Sequence, residues 1–130
     1  KMASFNEKII DEVTQLQYTF KVPIEVKIEE VEISANEEAQ LLSIMKEAIT
    51  NSCKHASPTK ITVKLQKNKK AIVLAVQDNG LGIELSKDLN KRGHYGILGM
   101  NERASLMGAS FNILNENGTC IIVTLTRGEE

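Results

Sequence analysis

This sequence has few prolines and cysteines, no tryptophan, no basic tract and no long apolar run. Its 130 residues include no tryptophan, two prolines and two cysteines, and 16 basic residues face 17 acidic ones. Because the charge is balanced and no lysine or arginine tract dominates, we expect no nucleic-acid partner. No apolar run approaches the ~20 residues that a membrane-spanning helix needs. The length predicts one domain, spanning residues 1–130, with room for a sizeable core.

The two cysteines do not form a metal site. Cys53 falls in a predicted helix and Cys120 in a predicted strand, without the close spacing of metal ligands. Two isolated thiols favour reduced, buried cysteines of a cytosolic protein over a disulfide. The chain starts with Lys1-Met2, which suggests that it is excised from a longer protein.

Apolar periodicity predicts a helix, a strand and a second helix in the first half of the chain. Apolar residues recur at helical spacing over residues 4–20, and a proline follows that stretch. Strict alternation over residues 24–28 predicts a half-buried strand. Ser34 and Glu37 have the spacing of a capping box and begin a long helix that ends near Ala56.

The second half of the chain predicts four strands and one more helix. Residues 60–66 alternate as a strand, and residues 71–77 are apolar on both sides, as in an interior strand. Their bulky side chains take the even positions, so Asp78 continues the side that faces the core. The remaining predictions are a mobile loop over residues 84–92, a glycine-rich loop over 93–99 leading into a helix through about Met107, and a hairpin of residues 111–115 and 119–126 around Asn117-Gly118. This order predicts a two-layer α/β sandwich, with the helices on one face of a mixed sheet.

The end of the long helix carries a polar face. At 3.6 residues per turn, Glu47, Asn51, Lys54 and His55 fall within about a quarter of the helix circumference. The opposite side carries a core-facing stripe, formed by Leu41, Leu42, Met45, Ala48, Ile49 and Ser52. A carboxamide oxygen beside an acid can hold a hard, partly hydrated Mg²⁺, and a lysine can meet a phosphate as a point charge. A solvated face with ordinary charge pairs would give the same pattern.

Two glycine-bearing segments follow the interior strand. Asp78 precedes Gly80-Leu81-Gly82, and a carboxylate that faces the core is costly unless hydrogen bonds are donated to it. The exocyclic amine of adenine is a neutral donor that suits such a site. The glycines of residues 93–99 lead into a helix, where unpaired amides and the helix dipole favour phosphate, although turns often have this spacing too. The sequence has neither the Gly-Lys-Ser/Thr of a P-loop nor a Rossmann fingerprint.

Three motifs, in their order and spacing, resemble the ATP-binding domain of sensor histidine kinases. They are Glu47-x-x-x-Asn51-x-x-Lys54-His55-Ala56, Asp78-Asn79-Gly80-Leu81-Gly82-Ile83 and Gly96-Ile97-Leu98-Gly99-Met100-Asn101-Glu102-Arg103. The Lys-His-Ala ending and the Gly-Met-x-Glu-Arg run look like the nitrate- and desaturase-sensor subfamily. The resemblance covers nearly the whole chain and implies the Bergerat nucleotide fold, which gyrase-type topoisomerases, a heat-shock chaperone and mismatch-repair ATPases share.

At the phosphate end, the resemblance implies a role for each residue of the helix face. Asn51 should coordinate Mg²⁺, and Glu47 should be a catalytic acid that orients the reacting end of ATP. Lys54 and His55 should border the phosphates, with Lys54 also assisting catalysis, although His55 would equally serve as a cap of the helix end. The phosphate end of the lid should consist of Gly96, Ile97, Leu98 and Gly99.

At the base end, the resemblance implies that Asp78 binds the adenine amine. Gly80 and Gly82 should shape the floor of the pocket, with Ile83 against the base. Thr119 should reach adenine through water, unless it only begins a strand.

The activity that the resemblance implies is transfer of the γ-phosphoryl group of Mg²⁺-ATP to a histidine. Such transfer needs positioning and charge neutralisation more than covalent chemistry. Neither His55 nor His94 has the acidic neighbour of the family's acceptor, so we expect the acceptor in a separate dimerisation domain of the parent protein. The implied partners are that domain and a response regulator, with this part of the chain monomeric, the parent homodimeric and the location cytoplasmic.

Two other functions use the same fold. The first is a serine kinase of the anti-sigma-factor type, against which the Gly-Met-x-Glu-Arg run argues. The second is an interaction module that binds ATP and transfers nothing, and the presence of both Glu47 and Asn51 counts against it.

Overall fold

A computed structural model describes residues 3–82 and 94–128 of the chain. Its elements, in order, are α1 (Phe5–Phe20), β1 (Ile24–Ile28), α2 (Ala35–His55), β2 (Ile61–Lys67), β3 (Ala71–Asp78), α3 (His94–Leu106), β4 (Ser110–Leu114) and β5 (Cys120–Thr126). Ile83 and the loop predicted at residues 84–92 lie outside the described residues.

Capping boxes begin the first two helices. The Ser34 hydroxyl accepts from the Glu37 amide at 3.1 Å, and the Ser34 amide donates to Glu37 Oε1 at 2.9 Å. Ser4 and Glu7 form the same pair of bonds at the start of α1. These side chains satisfy amides that a helix leaves unpaired at its N-terminus. The predicted start of the long helix at Ser34 is therefore confirmed.

The described strands form one five-stranded sheet, and the helices pack against it. Its strand order is β1-β2-β3-β5-β4, with β1 parallel to β2 and every other pair antiparallel. Strand β3 lies at the centre, as its two apolar sides predicted. Buried residues alternate with half-buried or exposed ones along β2, β3 and β5, so one face of the sheet meets the core. The predicted two-layer α/β sandwich is confirmed.

Helix α2 lies in the middle of the helical layer. It packs against α1, α3 and β3, and its buried residues belong to the same core as the inner side chains of the sheet. The largest of the fully buried core side chains are Ile9, Leu41, Ile44, Met45, Ile49, Ile61, Leu65, Leu74, Met100 and Leu125. Because α2 is held on three sides, the polar residues near its C-terminus have a fixed position.

The start of α3 differs from the prediction. Residues 93–99 were expected to form a loop before the helix, but α3 begins at His94 and includes Gly96 and Gly99. Each glycine costs about 1 kcal/mol of helix propensity relative to alanine. Packing opposes that cost, because Met100 and Ala104 of α3 are fully buried in the core and Ile97 packs against it.

The connection within the hairpin is longer than predicted. Leu114 pairs with Cys120, so Asn115 and Thr119 lie in the connection between β4 and β5 instead of in the strands. The turn residues behave as predicted, since Asn117 has φ 51° and Gly118 has φ 111°. Positive φ at consecutive residues is typical of primed turns.

Both cysteines are free thiols. They are half-buried, whereas the sequence predicted that they would be fully buried. Burial raises the pKa of the Cys53 thiol, and the charge of Asp78 raises it further. Burial also raises the pKa of the Cys120 thiol. Within the described residues, no helix has the length and apolar character needed to cross a bilayer.

A bidentate ion pair joins the end of the chain to the start of α2. The Arg127 guanidinium donates to Glu37 Oε1 at 2.9 Å and to Oε2 at 3.0 Å, and it also donates to the Glu32 carbonyl at 3.2 Å. These hydrogen bonds from Arg127 are the main cause of the lowered pKa of Glu37, and they raise the pKa of Arg127. One carboxylate thus serves both the capping box and the C-terminal strand.

We predict that Arg127→Gln lowers the melting temperature most at neutral pH. Because the folded-state pKa of Glu37 is lowered, the stability that this pair contributes is present above the unfolded pKa and is lost as the pH falls through the folded pKa. Thermal unfolding of both proteins across an acid titration should show the difference shrinking toward low pH. Lys69→Gln, at an exposed position, makes the same charge change as a control. A difference that stays constant with pH would contradict this account.

Candidate functional site

The start of α3 lies directly against the polar face of α2. A Cβ atom added to Gly96 would stand 2.6 Å from Glu47 Oε2, 2.7 Å from Asn51 Nδ2 and 3.3 Å from Asn51 Oδ1. Real Cβ atoms do not approach other atoms within 3.0 Å, so a larger residue at position 96 would displace the ends of the Glu47 and Asn51 side chains. The structure therefore brings together Glu47, Asn51 and Gly96, which the sequence had placed in two separate motifs.

Lys54 and His55 occupy the last turn of α2 and are exposed. Cationic groups there complement the helix dipole. Within the described part of the chain, neither side chain forms a hydrogen bond or ion pair with another candidate site residue. The cap residue of α2 is Ala56, whose amide donates to the Ser52 carbonyl at 2.8 Å. A capping hydrogen bond from the His55 side chain, the open alternative, does not occur among these residues.

Asp78 is a buried carboxylate with two backbone donors. Its Oδ1 atom accepts from the Gly80 amide at 2.9 Å and from the Thr119 amide at 3.0 Å. The Asp78 amide donates in turn to the Thr119 carbonyl at 2.9 Å. Oδ2 receives no hydrogen bond from any residue in the described ranges. The carboxylate is thus fixed in orientation while one oxygen keeps its capacity to accept.

The segment after β3 is tied to the end of α2. The Leu81 amide donates to the Ala56 carbonyl at 2.8 Å, and a Cβ atom on Gly80 would collide with that same carbonyl oxygen. Asn79 adds a second tie, because its Oδ1 accepts from the amides of Thr59 at 2.9 Å and Lys60 at 3.1 Å. These contacts hold the Asp78 end of the site at a fixed position relative to the Asn51 end. The sequence motif contains Asn79 but gave no sign of this link.

The β4–β5 connection forms a further side of the site. A Cβ atom on Gly118 would overlap the Asp78 carbonyl oxygen and stand 2.8 Å from Asp78 Oδ1. Gly82 approaches the Asn115 side chain in the same way. The sequence indicated Gly118 only as a turn residue, because its closeness to Asp78 follows from the pairing of β3 with β5.

Two buried hydroxyl groups have no hydrogen-bond partner among the described residues. They are Ser52 Oγ on α2 and Thr119 Oγ1 beside Asp78. A buried hydroxyl without a partner costs about 1–3 kcal/mol, so such groups normally meet a water or a ligand. Ser52 was predicted only as part of the core-facing stripe, and no sequence signal separates it from its apolar neighbours.

A cavity of about 400 Å³ lies between α2 and α3. It is lined by Ser43, Lys46, Glu47, Thr50, Gly96, Gly99, Met100 and Arg103. The cavity exposes Glu47, and Lys46 and Arg103 supply positive charge at its walls. Asp78 is not among its lining residues.

A protein-family model matches most of the chain. Residues 36–129 match the model of the family described as histidine kinase-, DNA gyrase B-, and HSP90-like ATPase. This range includes both ends of the site, from Glu47 to Thr119. The chain belongs to this ATPase family.

Two curated relatives of this ATPase domain are sensor proteins. The chain is 36% identical over 134 aligned residues to the sensor protein VraS of Staphylococcus epidermidis, and the alignment covers 100% of this chain and 37% of that protein. VraS of Staphylococcus aureus is also 36% identical, with 38% of its length covered. The chain thus spans less than two fifths of the length of these relatives.

Solved histidine kinase structures share the fold of this ATPase domain. The histidine kinase domain of a blue-light activated kinase from Erythrobacter litoralis superposes with a TM-score of 0.82 at 16% identity, covering 96% of this chain and 62% of that one. The mycobacterial sensor histidine kinase MprB gives a TM-score of 0.73 at 16% identity, with 95% of both chains covered. At these identities the likeness establishes the fold alone.

The polar groups of the ATPase site fit Mg²⁺ better than a metal held entirely by protein. Nowhere in residues 3–82 and 94–128 do three or more His, Cys, Asp or Glu side chains converge as a metal site. Glu47 and Asn51 offer oxygen atoms side by side against Gly96. Mg²⁺ is typically held by one or two protein oxygens together with waters and substrate phosphates, and this donor set suits that arrangement.

We predict that Gly96→Ala weakens nucleotide binding, whereas Gly99→Ala stabilises the fold. The Cβ atom of Gly96→Ala must displace the ends of the Glu47 and Asn51 side chains, which are the groups predicted to act at the phosphate end, so binding of Mg²⁺-ATP should weaken by about tenfold, or about 1.4 kcal/mol. No atom lies within 4 Å of a Cβ on Gly99, so Gly99→Ala should stabilise α3 by up to ~1 kcal/mol.

Isothermal titration calorimetry and denaturant unfolding of both variants measure the two effects. Ser105→Ala, at an exposed position of α3, serves as the control for binding. Equal loss of binding in Gly96→Ala and Ser105→Ala would contradict the assignment of the close contact to Gly96.

Proposed function

We propose that this chain is the ATP-binding catalytic domain of a sensor histidine kinase. It would occupy residues 1–130 as one domain of a longer protein. It would bind Mg²⁺-ATP and donate the γ-phosphoryl group to a histidine of a separate dimerisation domain. The observation that carries this proposal is the buried Asp78 carboxylate, which two backbone amides orient and which retains one accepting oxygen.

At the base end, Asp78 accepts a hydrogen bond from the exocyclic amine of adenine. A carboxylate has no proton to donate when ionised, so it favours a base with a donor at this position over one with a carbonyl. Gly80 and Gly82 form the floor of the base pocket. The unpartnered, buried hydroxyl of Thr119 supports its assignment to a water that contacts adenine.

At the phosphate end, Asn51 provides the protein ligand for Mg²⁺, with Glu47 beside it. When bound, Mg²⁺ would supply charge neutralisation at the phosphates. Lys54 and His55 are exposed on the same side of α2 and border the phosphates. Helix α3 begins at His94, so Gly96 lies in its first turn, where amides lack intrahelical acceptors and favour an anion. Gly99 lies three residues further along the helix. Ile97 packs toward the core, while Leu98 is 45% exposed.

The transfer step depends on an acceptor from outside this chain. Glu47 lines the open cavity between α2 and α3, which supports a role at the reacting end of ATP. There it orients the acceptor and takes up its proton as the γ-phosphoryl group moves. Phosphoryl transfer of this kind depends mainly on positioning and electrostatics.

The partners follow from this assignment. They are the phosphoacceptor domain of the parent protein, which would be a homodimer, and a response regulator, with this domain in the cytoplasm and monomeric by itself. The Lys54-His55-Ala56 and Gly99-Met100-x-Glu102-Arg103 sequences support membership of the nitrate- and desaturase-sensor subfamily. The similarity to sensor proteins favours a histidine kinase over a serine kinase or a binding module that transfers nothing.

We predict that Asp78→Asn weakens ATP binding by at least about tenfold, because a hydrogen bond to a charged group contributes roughly 1.5–3 kcal/mol. The unaltered domain should bind GTP poorly, since guanine has a carbonyl where adenine has its amine. Calorimetric titration with both nucleotides measures this preference. Asp11→Asn, at an exposed position of α1, is the matched control and should bind ATP normally. Equal affinities for ATP and GTP would refute the adenine assignment.

Variants at Asn51 and Glu47 should separate nucleotide binding from phosphoryl transfer. Asn51→Ala should weaken nucleotide binding when Mg²⁺ is present and have much less effect in EDTA. Glu47→Gln should leave binding nearly intact, because an acid that acts on the reacting end contributes mainly in the transition state. With the dimerisation domain added, Glu47→Gln should slow transfer by on the order of 10²-fold or more.

Radiolabelled ATP measures the transfer. The domain alone should acquire no acid-labile phosphate, and labelling should require the added dimerisation domain. Normal transfer by a well-folded Glu47→Gln protein would remove Glu47 from the mechanism, and absence of transfer by the unaltered pair would favour a binding module.

A further inference from the structure

Helices α2 and α3 lie side by side and run in opposite directions. Gly96 of α3 lies against Glu47 of α2, and seven residues further along α3 the Arg103 Nη1 atom donates to Gln40 Oε1 at 3.1 Å. Gln40 in turn lies seven residues before Glu47 in α2. The two contacts therefore mark the ends of a stretch about two turns long, and at 1.5 Å per residue these ends are about 10 Å apart.

The cavity of about 400 Å³ forms a groove along this stretch. Its lining residues have the same spacing on both helices, at positions i, i+3, i+4 and i+7, which belong to one face of a helix. They are Ser43, Lys46, Glu47 and Thr50 on α2 and Gly96, Gly99, Met100 and Arg103 on α3. The groove therefore reaches from Glu47, at the proposed reacting end, to Arg103.

The α3 side of the groove is low because two of its residues have no side chain. Contact with Glu47 and Asn51 accounts for Gly96, but a Cβ atom on Gly99 would meet no atom within 4 Å. Glycine lowers helix propensity relative to alanine, and no contact among the described residues accounts for it at position 99. A glycine that faces an open groove lets another segment come close to the α3 backbone.

The groove carries a net positive charge, and Arg103 stands at the end away from Glu47. Arg103 is exposed and forms no ion pair with a carboxylate in residues 3–82 and 94–128, since the Gln40 amide is neutral. Lys46 Nζ lies 4.0 Å from Glu12 Oε2, the limit for an ion pair, and 62% of the lysine side chain is exposed. These two cations are complementary to a carboxylate on a segment that lies in the groove.

We propose that this groove binds the helix of the dimerisation domain that carries the acceptor histidine, and that Arg103, together with Lys46, recognises a carboxylate of that helix about two turns from the histidine. This inference rests on the proposed function, in which the histidine must reach Glu47 at the other end of the same groove. The spacing follows from the separation of about 10 Å, because the partner helix rises by the same 1.5 Å per residue. The charge pair fixes the direction and register of the partner helix, and so presents the histidine to Glu47.

Charge reversal at Arg103 in the 130-residue chain tests this assignment, with the dimerisation domain supplied as a separate protein and radiolabelled ATP as the phosphoryl donor. Arg103→Glu should raise the KM for the dimerisation domain by about tenfold or more, because an attractive charge pair becomes repulsive. Its affinity for Mg²⁺-ATP, measured by calorimetry, should not change. Lys69→Glu, at an exposed position between β2 and β3, makes the same charge change as a control and should transfer normally.

A compensating change in the partner identifies the pair. Replacing the acidic residue about seven positions from the acceptor histidine with lysine should restore transfer from Arg103→Glu and impair transfer from the unaltered chain. This rescue distinguishes recognition from a structural role of Arg103, which a change in the partner would not repair. Arg103→Gln keeps an amide that can bond to Gln40, so it gives the same comparison, with a smaller rise in KM, if Arg103→Glu does not fold.

Three results would overturn the inference while leaving the proposed function intact. They are a normal KM for the dimerisation domain in both Arg103 variants, a partner helix without an acidic residue about two turns from the histidine, and failure of the lysine substitution to restore transfer. A loss of ATP affinity that matches the loss of transfer would overturn it too, because Arg103 would then act on the nucleotide site. Absence of transfer between the unaltered chain and the dimerisation domain would refute the proposed function itself, and this inference with it.

Discussion

The hydrogen bonds that the Gly80 and Thr119 amides donate to Asp78 Oδ1 join the parts of the candidate site. Gly80 belongs to the segment after β3, and Thr119 belongs to the β4–β5 connection. Thr119 is 41 positions from Asp78 in sequence, so the carboxylate connects two distant segments of the chain. A buried carboxylate would be strongly unfavourable without such donors. Both donors bind the same oxygen, which fixes the group and leaves Oδ2 to accept from a ligand.

Helix α2 connects this base end to the phosphate end. Its inner side is buried in the core, and its last turns carry Asn51 toward Gly96 and Ala56 toward Gly80. Because the helix is rigid and held by α1, α3 and β3, the distance between the two ends is set by helix geometry and not by loops. Under the proposed function, a nucleotide that reaches from Asp78 to Asn51 would lie along the C-terminal turns of α2.

Much of the fold followed from local patterns, because each pattern has one physical cause. The period of two along β3 gave the direction of Asp78, and the Ser34–Glu37 capping box gave the start of α2. What could not be predicted depends on contacts between distant segments. Packing of Met100 and Ala104 in the core stabilises α3 where a loop was predicted, and the pairing of β3 with β5 brings Gly118 against Asp78.

The central claim is that Asp78 recognises the exocyclic amine of adenine. Its most direct test compares the affinity of the domain for ATP and for purine riboside 5′-triphosphate, which differs only in lacking that amine. Calorimetric titration in Mg²⁺ should give an affinity for the purine analogue that is at least about tenfold lower, as loss of a hydrogen bond to a charged group requires. Equal affinities for the two nucleotides would contradict the account.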